Sequence, residues 1–436
     1  MNSAFLEELA SRRRFGMKPG LDTMREVCRI LGNPQERVRA IHVAGTNGKG
    51  AVCAMLDACL ASGGFRTGRY TSPHLVKLNE RFFLDGAPVT DETLEKFANN
   101  VQSSISRRGL SPEPLSPNPF EPTFFEALTA VAFLLYGDET PDFTILETGL
   151  GGRLDATNVC SPCLAIITRI GLDHCDWLGD TVEKIASEKA GIIKPGVPVV
   201  LGRNVPEVIA VVKARALELG SPFYYAPDMA DESEIPTDFS LAGSFNRENA
   251  LTAIAALKVL VDNAETTALR RQDVQKLLRG LSRVIWPGRF QRIGRFIVDG
   301  AHNPPAARAL VAALEESGSL PTMIAGFCGD KDVDETLGIL RPHVSRAIAV
   351  RTNNPRSLDP ETLAEKMRKA GMEAFSCDSL EKAIDFLGSL PKAGGAGPNE
   401  DVLICGSLFL AGEALVALGG YPWGSVRFDP AEKLRV

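Results

Sequence analysis

Residues 38–60 read VRAIHVAGTNGKGAVCAMLDACL and contain an apolar run, a glycine-rich turn and a helical pattern, in that order. The apolar run Val38–Ala44 predicts a strand. Apolar residues from Val52 to Leu60 recur at the spacing of an amphipathic helix. A strand, a turn and a helix in succession are typical of α/β proteins. The segment therefore predicts an α/β fold with a glycine-rich turn at the carboxyl end of a strand.

The turn has the composition of a phosphate-binding loop. Its three glycines lie within Gly45–Gly50 and surround Lys49. Glycines allow backbone N–H groups to curl around an anion, and the helix that follows adds partial positive charge. The spacing departs from the ordinary G-x-x-x-x-G-K-[ST] motif, because Val43 occupies the first glycine position and Ala51 follows Gly50. We predict phosphate binding here, with a purely structural βα turn as the alternative.

Short apolar runs alternate with helical patterns along the rest of the chain, which predicts mainly parallel sheets. The predicted strands are Val38–Ala44, Phe143–Glu147, Leu164–Thr168, Val197–Leu201, Arg295–Val298, Thr322–Phe327, Arg346–Val350 and Val402–Cys405. Turn residues at Trp286-Pro-Gly-Arg289 predict a boundary. We therefore expect a P-loop-containing domain with a mainly parallel sheet over 1–290 and a smaller Rossmann-like α/β domain over 291–436.

Bulk composition excludes several classes of function. The 436 residues carry a net charge of −6, so nothing indicates the basic surplus of a nucleic-acid-binding protein. We find no secretory signal and no run of 18 apolar residues, and therefore expect no membrane span. The nine scattered cysteines favour a reduced, cytoplasmic setting. Cys160 and Cys163 match C-x-x-C, but their place at an apolar run favours small buried residues over a zinc or redox site.

Three polar residues follow predicted strands and suggest a metal site. Glu147 ends one strand, His174 follows the strand Leu164–Thr168, and Ser72 follows the plausible strand Arg66–Tyr70. Ligands of parallel sheets collect beyond the carboxyl ends of strands. A carboxylate, an imidazole and a hydroxyl, together with nucleotide phosphates, make a plausible Mg²⁺ site. Taken singly, Glu147 could instead cap a helix, and His174 could be a hydrogen-bonded loop histidine.

A lysine on the apolar face of a predicted helix has two interpretations. The segment DTVEKIASEKAG begins at Asp180, and Lys189 falls on the same face as Val182 and Ile185. Lys189 could extend its charge to water near the helix C-terminus. Alternatively, it is partly buried with a lowered pKa, so that its neutral amine can react.

Several segments together resemble one family. AGTNGKG from Ala44 resembles the phosphate loop of the Mur ligase superfamily and, within it, of folylpolyglutamate synthase and dihydrofolate synthase. The other matching segments, in family order, are Phe15-GMKPGLD, Thr71-SPHLVKLNERF, Pro122-TFFEALTAVAF, Glu147-TGLGGRLDATN, Leu172-DH, Ser187-EKAGIIKPG, Trp286-PGR and Asp299-GAHNP. Each segment is weak alone, but the ordered series is specific. The family's phosphate loop normally continues with Ser or Thr, so Ala51 removes a hydroxyl that could reach magnesium.

The resemblance implies an enzyme that uses ATP to join L-glutamate to dihydropteroate, to the glutamate tail of folate, or to both. It implies Mg²⁺ as a cofactor and leaves a monovalent cation open. It also implies a cytoplasmic monomer whose substrates are small molecules. Residues 1–290 would bind ATP and the pterin, and residues 291–436 would close the cleft and bind glutamate.

The resemblance also implies roles for individual residues. The nucleotide-binding residues are Gly45, Thr46, Asn47, Gly48, Lys49, Gly50, Asn249 (adenine), Arg289, Asp299 and His302. The metal ligands are Ser72, Glu147, His174 and Lys189, the last as a carbamate formed with CO₂. The catalytic residues are Lys49, His174, Lys189 and Arg289. The substrate residues are Phe124, Thr123, Pro73 and His74, with Phe124 under the pterin ring; before the resemblance, a core role for this phenylalanine is equally plausible.

Two other functions would use a similar phosphate loop. A peptidoglycan-precursor amino acid ligase of the same superfamily would share the ATP machinery but usually carries a further N-terminal domain, whereas 44 residues precede Gly45 here. A nucleotide-dependent switch of the P-loop class would need neither an amino acid nor the set formed by Glu147, His174 and Lys189. Glutamate-dependent release of ADP separates the three.

Overall fold

The computed structural model describes residues 20–108, 122–263, 269, 273–329, 332–390 and 400–423. The predicted loop Ser111–Thr123, the predicted connector Lys392–Asp401 and the family-like segment from Phe15 lie largely outside these ranges. The described residues form two compact units. The first comprises 20–240 and Glu248–Val284, and the second comprises Leu241–Arg247 and the described residues from Ile285 onward.

The first unit is built on an eight-stranded sheet in the order β4-β3-β2-β5-β1-β6-β7-β8. The strands are β1 (Ala40–Ala44), β2 (Thr67–Tyr70), β3 (Phe82–Leu84), β4 (Ala87–Pro88), β5 (Phe143–Glu147), β6 (Pro162–Ile167), β7 (Val199–Leu201) and β8 (Phe223–Tyr225). The neighbouring strands in the series β2-β5-β1-β6-β7-β8 are parallel. Strands β3 and β4 pair antiparallel and form one edge of the sheet. The carboxyl ends of β1, β2, β5, β6 and β7 therefore lie at one edge of the sheet.

Ten described helices precede Ile285 in the chain. They are α1 (Asp22–Ile30), α2 (Lys49–Ser62), α3 (Asp91–Arg108), α4 (Phe124–Glu139), α5 (Cys175–Leu178), α6 (Val182–Ala190), α7 (Pro206–Glu218), α8 (Ala226–Met229), α9 (Ser244–Asp262) and α10 (Val274–Leu278). Helix α2 follows the glycine-rich turn, and ten of its residues are buried. Its small side chains suit that burial, because the helix packs against β1, β2 and β5 and also against the 3₁₀ turn Arg279–Arg283.

Central β1 is completely buried between β5 and β6. A parallel strand covered on both faces is uniformly apolar, which explains why AIHVA shows no alternation. The exception is His42, whose partners are described below. Burial on both faces holds the end of β1 rigidly, and the glycine-rich turn begins there.

The second unit contains a six-stranded sheet in the order β13-β12-β11-β14-β10-β9. Its strands are β9 (Gln291–Ile293), β10 (Phe296–Val298), β11 (Thr322–Ala325), β12 (Arg346–Val350), β13 (Ala374–Cys377) and β14 (Val402–Cys405). Its helices are α11 (Pro304–Ser317), α12 (Val333–Leu340), α13 (Pro360–Lys369), α14 (Leu380–Leu387) and α15 (Leu408–Ala417). All strand pairs are parallel except β9–β10.

The predicted α/β class with mainly parallel sheets is confirmed, and each of the eight predicted strands corresponds to an observed one. The prediction did not include β3, β4, β8, β9 and β13. These strands have two to four residues; β4, β8, β9 and β13 are edge strands and β3 is next to the edge, so pairing rather than an apolar run defines them. Within the described ranges, no helix is both long enough and apolar enough to cross a membrane.

Candidate active site

The glycine-rich turn is tied to the loop that follows β6. The backbone N–H groups of Thr46 and Asn47 donate to the carbonyl of Arg169 at 2.9 and 3.2 Å. The Thr168 hydroxyl donates to the Asn47 carbonyl at 2.7 Å, and the Thr46 hydroxyl lies 3.1 Å from both the N–H and the carbonyl of Gly171. Thr46 and Asn47 therefore use these N–H groups to hold the loop. An anion would meet the N–H groups of the first turn of α2, which have no preceding helical carbonyl.

Gly45 and Gly48 are required by the shape of this loop. Both have positive φ, 151° and 89°, which side-chain-bearing residues rarely adopt. A Cβ on Gly45 would lie 1.8 Å from the Thr168 Oγ1, and one on Gly48 would lie 2.1 Å from the Asn249 Oδ1. The structure therefore places Asn249, a residue 201 positions after Gly48, directly against the phosphate loop.

Lys49 folds back over its own loop. Its Nζ donates to the carbonyls of Gly45 at 3.1 Å and Thr46 at 3.3 Å, and it lies 4.0 Å from the Glu147 Oε1. The side chain is mostly buried. The ammonium group thus lies over the glycine-rich loop, between its carbonyl groups and the carboxylate of Glu147.

Glu147 and Ser72 meet at the carboxyl ends of β5 and β2. Glu147 is 4% exposed, and its Oε2 accepts the Ser72 backbone N–H at 2.9 Å. Among the described residues no group of three or more His, Cys, Asp or Glu side chains is arranged to hold a metal ion. The oxygen donors present, a carboxylate beside a serine, fit a hard cation such as Mg²⁺ whose remaining ligands come from phosphate and water.

His174 lies at the start of the short helix α5, in a left-handed backbone conformation with φ of 52°. Its side chain is 48% exposed, and its Nε2 is 3.9 Å from the carboxylate of Asp173. The structure thus places His174 on an exposed turn, whereas Glu147 is buried in the sheet edge. The sequence analysis left a metal ligand and a loop histidine open for His174, and the exposure of its side chain is visible only in the structure.

Lys189 is buried on α6 with 4% exposure, and its Nζ donates to the Gly45 carbonyl at 2.8 Å. Burial, together with the positive charge of Lys49, lowers the pKa of its amine to about 7. At neutral pH, much of the amine is therefore uncharged. The structure brings Lys189, Gly45, Lys49 and Glu147 together at one edge of the sheet.

The loop after β5 docks on the end of α6. Asp155 holds this loop by accepting the backbone N–H groups of Gly149 and Leu150 at 2.8 and 2.9 Å, and burial raises the pKa of its carboxyl group. A Cβ on Gly152 would lie 2.9 Å from the Lys189 carbonyl oxygen. Gly152 thus permits the close approach that positions Lys189. Sequence reasoning did not single out Asp155, although an acid in a glycine-rich loop was the available signal.

His42 is a second residue that sequence reasoning missed. It is fully buried on β1, where its Nε2 lies 2.8 Å from the Thr157 hydroxyl and its Nδ1 lies 3.8 Å from the Cys160 sulfur. Burial lowers the pKa of the imidazole to about 3, so the ring is neutral. Thr157 in turn donates to Asp155 at 2.5 Å. Cys160 is accordingly a buried packing residue, and no disulfide joins any of the nine cysteines, all of which are described.

Thr123 and Phe125 have structural contacts at the start of α4. The Thr123 hydroxyl accepts the Glu126 N–H at 3.3 Å, and the Glu126 carboxylate accepts the Thr123 N–H at 2.8 Å, which forms a capping box. Phe125 packs on Gly149, where an added Cβ would lie 2.5 Å from its ring, and its ring centroid is 6.1 Å from that of Tyr70.

Phe124 occupies a different environment from its neighbour. It is half-buried, and the Arg81 guanidinium lies 5.9 Å from its ring centroid. The Arg81 Nε donates to the His74 Nδ1 at 2.9 Å, and burial lowers the Arg81 pKa. Pro73 joins Ser72 through a cis peptide bond. The buried Arg81 therefore lies between Phe124 and His74, which follows Ser72 and Pro73 in sequence, and Arg81 is an addition that the sequence analysis did not make.

Asp299, Arg289 and His302 are grouped within the second unit. Asp299 is buried and accepts the N–H groups of Phe290 at 2.8 Å and Ala301 at 2.7 Å. Burial raises the pKa of its carboxyl group, and the charge of Arg289 opposes that rise. Arg289 donates to the carbonyl of the preceding residue, and the His302 Nδ1 donates to the carbonyl two residues earlier. Asp299 thus organises the backbone from which both side chains extend.

Asn204 connects the loops after β6 and β7, and we expect its loss to impair nucleotide binding. Its Oδ1 accepts the Ile170 N–H at 2.8 Å, and its Nδ2 donates to the carbonyls of Thr168 and Gly202 at 3.1 Å each. At about 1 kcal/mol for each bond, Asn204→Ala should destabilise the chain by about 2–3 kcal/mol. Because the β6 loop holds the phosphate loop, KM for ATP should rise about tenfold.

Thermal unfolding with and without ATP and steady-state kinetics measure both effects. Asn263→Ala is the matched control, since the Asn263 carboxamide makes a local bond to the Val259 carbonyl at the exposed end of α9. Unchanged KM for ATP in Asn204→Ala would contradict the positioning role.

The fold and this site together define a class. Residues 288–408 match the family model described as the Mur ligase, glutamate ligase domain, so the chain is a Mur-type ligase. It is 33% identical over 423 residues to the dihydrofolate synthase/folylpolyglutamate synthase of Bacillus subtilis (strain 168), a match that covers 91% of this chain and 94% of that one. The chain belongs to the dihydrofolate synthase/folylpolyglutamate synthase family.

Solved structures agree with this assignment. Mycobacterium tuberculosis folylpolyglutamate synthase complexed with ADP superposes with a TM-score of 0.83 at 30% identity, covering 96% of this chain and 99% of that one. The bifunctional folylpolyglutamate synthase/dihydrofolate synthase of Yersinia pestis complexed with AMPPNP and Mn ion has a TM-score of 0.79 at 29% identity, covering 95% and 97%.

Proposed function

We propose that this chain uses ATP to join L-glutamate through an amide bond to dihydropteroate, to the glutamate tail of folate, or to both. The main support for this proposal is the contact of Lys49 and Lys189 with the Gly45 carbonyl and of Lys49 with Glu147, at the edge of the first sheet. The names of the relatives supply the substrate class. They favour folate synthesis over the peptidoglycan ligase considered above, and a ligase over a nucleotide switch.

The reaction begins when the substrate carboxylate attacks the γ-phosphorus of ATP, so that ADP leaves and an acyl phosphate forms. The loop Gly45–Gly50 and the first turn of α2 bind the phosphates, and Lys49 offsets charge on the transferring group. The glutamate amine then attacks the acyl carbon, and inorganic phosphate leaves. No protein nucleophile is needed, because binding the reactants in the correct geometry supplies much of the rate.

Glu147 and Ser72 would hold Mg²⁺, with His174 as a further ligand after movement of its exposed turn. When bound, the cation supplies charge neutralisation on the phosphate oxygens. The manganese in the Yersinia pestis structure supports a divalent ion. Because Ala51 has no hydroxyl, Ser72 is the residue that would compensate. A monovalent cation is a further part of the proposal that follows from resemblance alone.

Lys189 would act as a carbamate. Its uncharged amine attacks CO₂, a C–N bond forms, and one proton is released to solvent. The low pKa of the amine favours this reaction at neutral pH. The resulting anionic oxygens would be available as a metal ligand beside Lys49.

The remaining residues recognise the rest of the substrates. Asn249, which lies against Gly48, would contact adenine, and Arg289, Asp299 and His302 would serve the ribose and phosphates. Phe124 would stack on the pterin, with Thr123, Pro73 and His74 nearby. A cytoplasmic monomer, as the resemblance implies, completes the proposal.

The test is ligation of radiolabelled glutamate by the full chain with ATP and Mg²⁺, run in parallel with dihydropteroate and tetrahydrofolate. The expected result is substrate-dependent release of ADP and a product heavier by one glutamate residue. ATP hydrolysis that required neither glutamate nor a pterin substrate would overturn the assignment. A requirement for a uridine nucleotide precursor would favour the peptidoglycan ligase.

A further inference from the structure

A series of buried polar groups runs from β1 to the loop after β5, and no step of the proposed reaction uses it directly. His42, Thr157 and Asp155 are all buried. The His42 Nε2 lies 2.8 Å from the Thr157 Oγ1, and the Thr157 hydroxyl lies 2.5 Å from the Asp155 Oδ1. On the other side of the ring, the Cys160 sulfur lies 3.8 Å from the His42 Nδ1. The series has two possible directions, according to which ring nitrogen carries the proton.

The contacts of Asp155 fix the direction of the series. Its Oδ2 accepts the N–H groups of Gly149 and Leu150, and its Oδ1 accepts the Thr157 N–H at 3.0 Å. Backbone N–H groups can only donate, so these three contacts favour the charged carboxylate. Burial raises the pKa of Asp155, and the Thr157 hydroxyl is the strongest of the contacts that lower it. The Thr157 hydroxyl therefore donates its proton to Asp155.

The tautomer of His42 follows from this direction. A hydroxyl has one proton, so the Thr157 oxygen, having donated to Asp155, must accept from the Nε2–H of the imidazole. Burial, together with the positive charge of Lys194, lowers the imidazole pKa to about 3, so the neutral ring has no proton on Nδ1. The Nδ1 then accepts from the Cys160 thiol, which stays protonated because burial raises its pKa to about 12. Each donor in the series thus points from β1 towards the carboxylate of Asp155.

The loop that Asp155 holds lies between two residues assigned to the metal. Glu147 ends β5 directly before this loop. At its other end, the Arg153 N–H donates to a backbone carbonyl of α6 at 2.8 Å, and a Cβ on Gly152 would lie 2.9 Å from the Lys189 carbonyl oxygen. A shift of the loop would therefore displace both Glu147 and Lys189.

We propose that His42 is a positioning residue for the ligation reaction. Its Nε2–H orients the Thr157 hydroxyl towards Asp155, and Asp155 in turn fixes the loop between Glu147 and Lys189. The inference rests on the proposed function, which assigns the metal to these last two side chains. His42 acts through Thr157 and Asp155 rather than on the substrates.

NMR spectroscopy of the full chain, labelled with ¹⁵N in its five histidines, measures the tautomer without metal or substrate. The protonated and unprotonated ring nitrogens of a neutral imidazole have different ¹⁵N shifts, and the signals that disappear in His42→Gln belong to His42. The expected result is a protonated Nε2 and an unprotonated Nδ1, unchanged between about pH 5 and pH 8, because the ring stays neutral there. A proton on Nδ1 would reverse the series and overturn the inference.

Two substitutions interrupt the series, and steady-state kinetics measures their effect. Thr157→Val removes the hydroxyl and keeps the shape, and His42→Leu removes both ring nitrogens. Residues that orient metal ligands from outside typically account for about 10- to 100-fold in activity or metal affinity. We expect kcat to fall, and the Mg²⁺ concentration at half-maximal rate to rise, by at least the lower factor. KM for ATP at saturating Mg²⁺ should stay within about threefold, because the loop after β6 holds the phosphate loop.

The double variant His42→Leu/Thr157→Val tests whether the two residues act as one unit. Interrupting a series twice should cost no more than interrupting it once, so its kcat should lie within about threefold of the lower single variant. If the two losses multiplied, each side chain would act separately through packing, and the inference would fail.

Conservative variants separate positioning from packing. Thr157→Ser keeps the hydroxyl, and His42→Gln keeps an Nε2–H donor, so each should restore kcat to within about fivefold of wild type. Cys160→Ala is the matched control. It removes a packing partner of the same imidazole but leaves the hydrogen bond between His42 and Thr157 in place, so its kcat should stay within about threefold of wild type.

The possible results distinguish this inference from the proposed function. A loss of kcat in Thr157→Val that Thr157→Ser restores, together with a protonated His42 Nε2, supports the inference. If the wild type ligates glutamate and Thr157→Val keeps its kcat, or if Cys160→Ala loses as much as His42→Leu, the inference is wrong and the proposed function stands. A wild-type chain without ligase activity overturns the proposed function and, with it, the kinetic role of His42.

Discussion

Lys49→Ala is expected to lower kcat by about 10²- to 10³-fold, which corresponds to about 3–4 kcal/mol of lost transition-state stabilisation. The Lys49 ammonium lies above the phosphate loop, 3.1 Å from the Gly45 carbonyl and 4.0 Å from the Glu147 carboxylate. In a mostly buried position, its charge is only partly screened by water. Losing it therefore removes charge neutralisation where the γ-phosphoryl group leaves ATP. Glutamate-dependent release of ADP is the measurement.

The effect should be on chemistry more than on folding. Lys49 makes two hydrogen bonds to its own loop, so Lys49→Ala should lower the free energy of unfolding by only about 1–2 kcal/mol. Lys213→Ala, which removes an exposed lysine from α7, controls for the loss of a charge. Turnover by Lys49→Ala within threefold of wild type would reject the phosphate role.

Lys189→Ala is expected to be almost inactive, and a short carboxylic acid such as acetate should restore part of the activity. The proposed carbamate places two oxygens at the end of this side chain, and a small carboxylate entering the space left by alanine supplies similar oxygens. Lys184→Ala is the control on the same helix, because the exposed Lys184 only pairs with Asp180 at 2.8 Å. Activity in Lys189→Ala that is close to wild type, without added acid, would rule out the role.

The unmodified Lys189 amine should also cost stability in a pH-dependent way. Its pKa is lowered to about 7 in the folded chain and is ordinary in the unfolded chain, so between these values the unfolded chain binds more protons. The cost of burying the amine is therefore fully present below about pH 7 and disappears as the pH approaches 10.5. In CO₂-free buffer without metal at pH 6.5, the free energy of unfolding of Lys189→Met should exceed that of wild type by on the order of a few kcal/mol. At pH 9 the difference should be smaller.

Urea titrations at the two pH values provide the test, and Lys184→Met is the control. An exposed lysine contributes little at either pH. A stability difference for Lys189→Met that increased with pH would mean that burial does not disfavour the charged amine.

Much of the fold follows from local pattern. Uniform apolar runs such as Phe143–Glu147 predict buried parallel strands, because a strand covered on both faces excludes polar side chains. The glycine-rich turn was also predictable, since Gly45 and Gly48 adopt positive φ that other residues avoid. Edge strands such as β8 and β13 were not, because their runs of three and four residues are only partly buried and show no uniform apolar pattern.

By itself, the sequence determined the order of the eight predicted strands, the position of the glycine-rich turn and the candidates Lys49, Glu147 and Lys189. Only the tertiary structure decided which of them meet. Lys189 donates to the Gly45 carbonyl across 144 residues, whereas His174 lies on an exposed turn. The reason is physical: local side-chain patterns specify which elements form. The hydrogen bonds at the strand ends depend instead on how distant loops pack against one another.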